Sequence, residues 1–283
     1  MVSFGVTTWL WTSPFNNSMI RELFEKVATM GFDAIEIAIE DPDLIDPIAV
    51  QSAIREFGIE AIACGAFGPT RDLTHTDPAI HDNCFRYIEK CLDFCTAWNA
   101  GFLAGPMYSA VGKARMVPPE QRKMEWELAV INLRTVCQMA ASRNLQIALE
   151  PLNRFESDLV NTTVDVVRLI QDINHPAAKI MLDGFHMNIE EPDMEKAIRL
   201  AGTNLVHVQV SENYRGTPGT GQTNWTALKN GLDAINYNGV ISIESFTPVN
   251  QELAGAVCIW RPLAGNQNDF ARNGLAFLKQ LYA

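Results

Sequence analysis

Short apolar runs recur along this chain about once every thirty residues, and this spacing restricts its fold more than any other feature. In the second half they are LQIALE (145–150), KIMLD (179–183), LVHVQV (205–210) and VISIE (240–244), rich in aliphatic or β-branched residues and each followed by a turn-forming or polar segment. VSFGVTTW (2–9), DAIEIAI (33–39), IEAIAC (59–64) and AGFLAG (100–105) have the same character in the first half. The stretches between carry helical periodicity, for example Met19 to Met30 and Met124 to Ala141. Strict β-then-α order predicts a parallel sheet. Eight such units in 283 residues predict closure as a (β/α)8 TIM barrel rather than an open doubly wound sheet. No G-x-G-x-x-G follows the first run, which argues against dinucleotide binding.

Composition predicts one globular domain over residues 1–283, since 47% hydrophobic and 19% charged residues suffice for a large undivided core. No linker-like or low-complexity tract interrupts it. The apolar opening MVSFGVTTWLWTSPF lacks a basic leader and a small-residue cleavage pattern, so a first strand explains it better than a signal peptide. No segment reaches the length of a membrane span, and no membrane partner is expected. A formal charge of −11 argues against a nucleic-acid partner, because phosphate backbones are held by clustered Lys and Arg. The six cysteines form no C-x-x-C pair, and Cys84, Cys91 and Cys95 fall on one face of a predicted helix. Buried thiols in a reducing compartment, and so a cytoplasmic location, are the expectation.

Glu150, Asp183, Gln209 and Glu244 lie at or near the ends of four successive runs, 33, 26 and 35 residues apart. In a barrel, polar residues at strand C-termini converge on the catalytic face. Any one of them alone could cap a helix or pair with an arginine. Together, their carboxylates would repel one another at the barrel mouth unless a cation sat between them. An all-oxygen donor set suits one hard or borderline divalent ion, Mn²⁺ first, with Mg²⁺ and Co²⁺ as alternatives, better than structural zinc. His186, three residues after Asp183, is expected on the same face as a polar substrate contact. Glu36, inside the second run, is expected to be a buried partner of a basic or hydroxyl group. His75, His81 and His175 belong to polar loops or turns, where solvated or capping roles are the default. Trp9, Trp11, Phe67, Tyr108, Phe246 and Trp260 fall near strand ends, where packing is the default and an aromatic wall for a substrate to stack on the functional reading.

The segments EPLNRFE (150–156), LDGFHMNIEE (182–191), HVQVSENYR (207–215) and VISIESF (240–246) resemble those of the D-tagatose 3-epimerase and D-psicose (allulose) 3-epimerase group, in the xylose isomerase-like TIM-barrel superfamily. GFDAIEI (31–37) and PGTGQTNW (218–225) extend the resemblance more weakly over nearly the whole chain. It implies that Glu150 and Glu244 both bind the metal and exchange the proton on opposite faces of the sugar carbon, and that Asp183 is the third ligand. Glu156, His186 and Arg215 match substrate-contacting residues. The fourth ligand of the epimerases is normally His, and here it is Gln209. Relatives resembling hydroxypyruvate isomerase carry Gln at that position. His207, two residues earlier and on the same strand face, is the alternative ligand. The resemblance also implies a homodimer or homotetramer, with the apolar segment AGAVCIWRPLAG (254–265) as a plausible contact surface.

The expected function is a metal-dependent ketose 3-epimerase acting on a free ketose or keto-sugar through a cis-enediolate. An aldose-ketose isomerase like hydroxypyruvate isomerase is the alternative favoured by Gln209, and a non-catalytic sugar-binding barrel is the third reading. A DNA-repair endonuclease on this scaffold would need a histidine-rich multi-metal centre and a basic surface, which an acidic chain with five His does not provide. No phosphate-binding Gly-rich loop or Lys/Arg cluster is evident near the strand ends, which favours an unphosphorylated substrate.

Overall fold

The computed structural model describes residues 2–283. Eight parallel strands close into a barrel in sequence order, with β8 returning to pair with β1. They are β1 (Ser3–Thr7), β2 (Ala34–Ile39), β3 (Glu60–Gly65), β4 (Phe102–Gly105), β5 (Gln146–Leu149), β6 (Ala178–Asp183), β7 (Leu205–Val210) and β8 (Val240–Ile243). Each falls on one of the eight apolar runs, and the (β/α)8 expectation holds.

The helices are α1 (Ile20–Met30), α2 (Pro47–Phe57), α3 (Pro78–Trp98), α4 (Pro119–Ala141), α5 (Thr163–Ile173), α6 (Gly184–Glu190), α7 (Met194–Ala201), α8 (Trp225–Ala234), α9 (Gln251–Ala256) and α10 (Gln267–Leu281). Most of the helices connecting successive strands start and stop on local chemistry. In α5, Thr162 and Asp165 form a reciprocal capping box, and Asn174 closes the C-terminus in the left-handed conformation. Three helices, α2, α3 and α4, place Pro in the first turn, where the missing N–H would have no intrahelical partner. The strict alternation expected of β and α is exceeded at two places. Both α6, directly after β6, and α9, after β8, are extra helices at the C-terminal mouth of the barrel.

Two apolar layers hold this arrangement. The larger lies between strands and helices, and β2 is buried along its whole length. The smaller fills the barrel interior, where Ala104, Ala148 and Met181 pack with Phe102 and Val206. Strand side chains alternate with period two, so residues two beyond these interior positions also point inward. Ala148 therefore predicts an inward Glu150, and Met181 an inward Asp183. Cys84, Cys91 and Cys95 are buried free thiols on α3. Among the described residues no helix is long and apolar enough to cross a membrane.

Candidate active site

Four strand ends bring the predicted acidic and amide side chains to one place. Glu150 and Glu244 each immediately follow a strand, Asp183 ends β6, and Gln209 is the penultimate residue of β7, paired in register with Asp183 on one side and Ser242 on the other. All four are buried. Asp183 also caps α6, accepting the Phe185 N–H at 2.9 Å through Oδ1, so its Oδ2 is left for the barrel mouth. Oδ2 and the Glu244 Oε2 are spanned by one guanidinium nitrogen of Arg215, at 2.6 and 2.7 Å.

Arg215 reaches this position from a tight turn. Its φ of 63° is in the left-handed region, which a non-glycine residue adopts only under local constraint. The constraint is visible: its N–H donates to the Glu212 carbonyl, and the Ser245 hydroxyl donates to its own carbonyl, both at 2.8 Å. Glu212 in turn accepts the N–H groups of Gly219 and Thr223 and the Trp225 indole N–H, which ties the PGTGQTNW stretch to the turn. The guanidinium lies 4.0 Å over the Phe185 ring, a cation–π contact with a residue of α6.

The electrostatics follow from three buried carboxylates facing one cation. Burial, then the neighbouring Glu244 and Asp183, holds the Glu150 carboxyl well above its usual range. Burial raises Glu244 to about 8, against the opposing pull of Arg215. Both groups therefore favour their protonated forms unless further positive charge arrives.

His186 is likewise buried, and desolvation lowers its pKa, keeping the ring neutral. Its Nδ1 accepts the Asn153 backbone N–H at 3.1 Å, and the Arg215 guanidinium faces its Nε2 at 3.3 Å. That nitrogen lies 3.6 Å from both Glu150 Oε1 and Asp183 Oδ2. Glu150, Asp183 and His186 thus form a compact group of metal-competent side chains. Glu156 stands beside them, accepting 2.8 Å from the Asn153 amide, which also meets His186. Sequence reasoning missed Asn153, although it lies inside the NRFE string that carries much of the family resemblance.

Glu36, His207 and Gln209 make a second layer inside the barrel. Glu36 accepts from His207 Nε2 at 2.6 Å and from the Gln209 amide at 2.5 Å, so the expected buried partnership with a basic group holds and an amide is added to it. Gln209 Oε1 is buried without any hydrogen-bond partner, as is His207 Nδ1. An orphaned amide oxygen on a residue paired in register with Asp183 fits a divalent cation, since such an oxygen is a competent neutral ligand for a hard ion.

Above this floor opens a cavity of about 1160 Å³. Trp9, Phe67, Phe246 and Trp260 line it, whereas Trp11 and Tyr108 do not: the Trp11 indole bonds Asn268 and Tyr108 is fully buried. Phe155 and Phe185 line it without having been anticipated. Much of the 254–265 segment serves this cavity. Leu253 and Ile259 pack with Phe246, and Trp260 stays 75% exposed at the rim. His75 and His175 accept backbone N–H groups two residues ahead, as expected of turn residues.

The family model for the xylose isomerase-like TIM barrel matches residues 24–281. The chain belongs to that family. Within it, the chain is similar to the L-ribulose 3-epimerase of Methylomonas sp., 31% identical over 99% of this chain and 98% of that one. It is also similar to a probable ketose 3-epimerase of Synechocystis sp., 32% identical over 99% and 97% of the two chains. Among solved structures, D-allulose 3-epimerase from Methylomonas sp. in complex with D-allulose superposes with a TM-score of 0.93 at 31% identity, over 99% and 97% of the chains. These relatives, matched over nearly their whole length, are epimerases and so of the isomerase class, which supports a carbohydrate epimerase here.

Proposed function

We propose that this barrel, with residues 1–283 acting as one domain, is a divalent-metal-dependent ketose 3-epimerase. It would interconvert the C3 epimers of a free ketose or keto-sugar through a cis-enediolate. The observation that carries the reading is the floor of the mouth, where two buried carboxylates, Asp183 and Glu244, share one guanidinium, a third, Glu150, is buried without a cation of its own, and the Gln209 amide oxygen is orphaned. Glu150, Asp183, Gln209 and Glu244 would hold one ion, Mn²⁺ in this proposal. When bound, the ion would polarise the ketose carbonyl and stabilise the charge that develops as the C3 proton leaves.

The chain's own groups supply the rest. Epimerisation needs a base on one face of the carbon and an acid on the other, and Glu150 and Glu244, from β5 and β8, are assigned those roles. The starting configuration decides which of them takes the proton. His186, which lines the cavity with its Nε2 beside Arg215, is assigned to the substrate rather than the metal. Arg215 and Glu156 would orient further hydroxyls, and the aromatic rim would exclude water. Gln209 gave weight to a keto-acid isomerase, but the relatives named above are epimerases. We further infer a cytoplasmic homodimer or homotetramer, in line with the buried free thiols and the exposed Trp260.

Proton NMR of the Mn²⁺-loaded enzyme with a panel of ketoses in D₂O tests the reaction. Deuterium at C3 with appearance of the C3 epimer is the expected result. Label at C1, or at C2 of an aldose, would make it an isomerase, and no label with any ketose would overturn the reading.

A further inference from the structure

Gln209 raises a question that a histidine ligand would not. A side-chain amide has two ends of nearly the same shape, and only its oxygen can bind a cation; turned over, it would aim an NH₂ group at the metal. We propose that Glu36 is the positioning residue that fixes this choice, so that Gln209 meets the metal through its oxygen. The inference rests on the metal site proposed above.

Both carboxylate oxygens of Glu36 are committed, Oε1 to the Gln209 amide at 2.5 Å and Oε2 to His207 Nε2 at 2.6 Å. The end of the amide that faces Glu36 is the NH₂ end, which donates to the carboxylate. Oε1 of Gln209 is then the end left free, and it is the buried atom without a partner. Glu36 and His207 are fully buried and Gln209 is 1% exposed, so no bulk water competes for these bonds. The pairing crosses the barrel. Strands β8 and β1 stand between β7 and β2, and in register with Gln209 they carry only Ser242 and then Gly5. These short residues leave the inner space through which the Glu36 side chain reaches Gln209. The same carboxylate engages His207 through Nε2, and Nδ1 of that ring is left without a partner.

The consequence is a selectivity for hard ions. An oxygen-only centre favours Mn²⁺ or Mg²⁺, whereas an imidazole in the fourth position strengthens binding of Co²⁺ relative to Mn²⁺. The test uses metal binding rather than turnover. Metal-stripped wild type, Glu36→Gln and Gln209→His are titrated with Mn²⁺ and Co²⁺ by calorimetry, and the Mn²⁺ forms are examined by pulsed electron paramagnetic resonance. Glu36→Gln, whose own amide can donate to Gln209 Oε1 and turn it over, is expected to weaken Mn²⁺ binding by about 10–100-fold. Gln209→His is expected to shift the Co²⁺-to-Mn²⁺ affinity ratio upward by about tenfold or more. Wild type should show no directly coordinated ¹⁴N, and Gln209→His should gain one. Directly bound nitrogen in the wild type, or wild-type Mn²⁺ affinity in a folded Glu36→Gln, overturns the inference and leaves the epimerase reading standing. If Glu36→Gln does not fold, the nitrogen signature and the metal ratio of Gln209→His decide alone. A wild type that binds neither ion overturns the metal centre and this inference together.

Discussion

Two acidic clusters in this molecule are built from similar residues and behave in opposite ways. At the barrel mouth, Asp183 and Glu244 share Arg215, Glu150 lies near them without an ion pair to it, and the pKa values of Glu150 and Glu244 are pushed up. Beside the loops that follow β3, β4 and β5, Asp72, Glu125 and Asp158 interlock with Lys113, Arg115 and Arg122 at 2.8 to 3.8 Å. There Asp72 and Asp158 are held below the usual carboxylate range: desolvation opposes this, but hydrogen bonds from Lys113 and Thr74 to Asp72, and from Arg122 and Arg115 to Asp158, outweigh it. Three cations answer three carboxylates in the loop cluster, and one answers three at the mouth. The loop cluster is complete as folded and serves to fasten segments together. The mouth is short of positive charge, and that deficit is what a cation and a polarised substrate would relieve.

The largest expected effect separates the two clusters by function. Glu150→Gln and Glu244→Gln should each lower kcat by about 10²–10⁴-fold, the range typical of losing a general acid or base. Steady-state kinetics with the best ketose substrate measures this, and a loss below tenfold in either would remove that residue from proton transfer. Neither change should lower the melting temperature of the metal-free protein, because each deletes a carboxyl that burial already disfavours in its charged form.

Next comes the pH dependence, where the clusters predict opposite signs. Glu150 and Glu244 bind protons more tightly folded than unfolded, so they favour the folded state at low pH. That contribution is lost as pH rises from the ordinary carboxylate value of 4.5 through about 8, the value for Glu244. Metal-free protein should therefore lose melting temperature across that window. Added Mn²⁺ should restore more of it at pH 8 than at pH 6, since the ligands must be deprotonated to bind. Melting curves with and without metal decide, and a metal increment independent of pH would break the comparison. For Asp72 and Asp158 the sign reverses, and their contribution disappears only as pH falls below the ordinary carboxylate range.

How much of this was legible in the sequence depends on the range of the interaction. All eight strands were, because aliphatic runs at βα spacing have few other uses, and period-two alternation then aims Glu150, Asp183, Gln209 and Glu244 inward. Helices α6 and α9 were not. Each is under eight residues, too short to show a 3.6-residue pattern, and α6 is started by a side chain that also belongs to the site, Asp183. Glu36 was marked as buried and partnered, but its partners lie 171 and 173 residues away across the barrel. No local pattern encodes that. The left-handed φ of Arg215 was equally hidden, since Arg carries no preference for it and the turn is imposed by Glu212 and Ser245. Trp11 and Tyr108 take the packing role that was the default for aromatics near strand ends, and only four of those six rings reach the cavity, because a place near a strand end says little about which side of the loop a ring takes.

The smallest expected effect tests the fastening role of the loop cluster. Glu125 is 3% exposed on α4 and accepts from Arg115 at 2.9 and 3.1 Å and from Gln121 at 3.1 Å. Glu125→Gln keeps the shape but removes the charge, leaving Lys113, Arg115 and Arg122 with two carboxylates between them. A loss of roughly 1.5–3 kcal/mol is expected, the range for hydrogen bonds to charged groups. Denaturant unfolding measures it, and kcat should stay near wild type because Glu125 does not line the cavity. The same substitution chemistry thus has opposite signatures in the two clusters: activity without stability at Glu150 and Glu244, stability without activity at Glu125. A Glu125→Gln variant that kept its stability but lost turnover would mean that the loop cluster sets the position of Glu156, whose backbone carbonyl accepts from Gly112 beside Lys113.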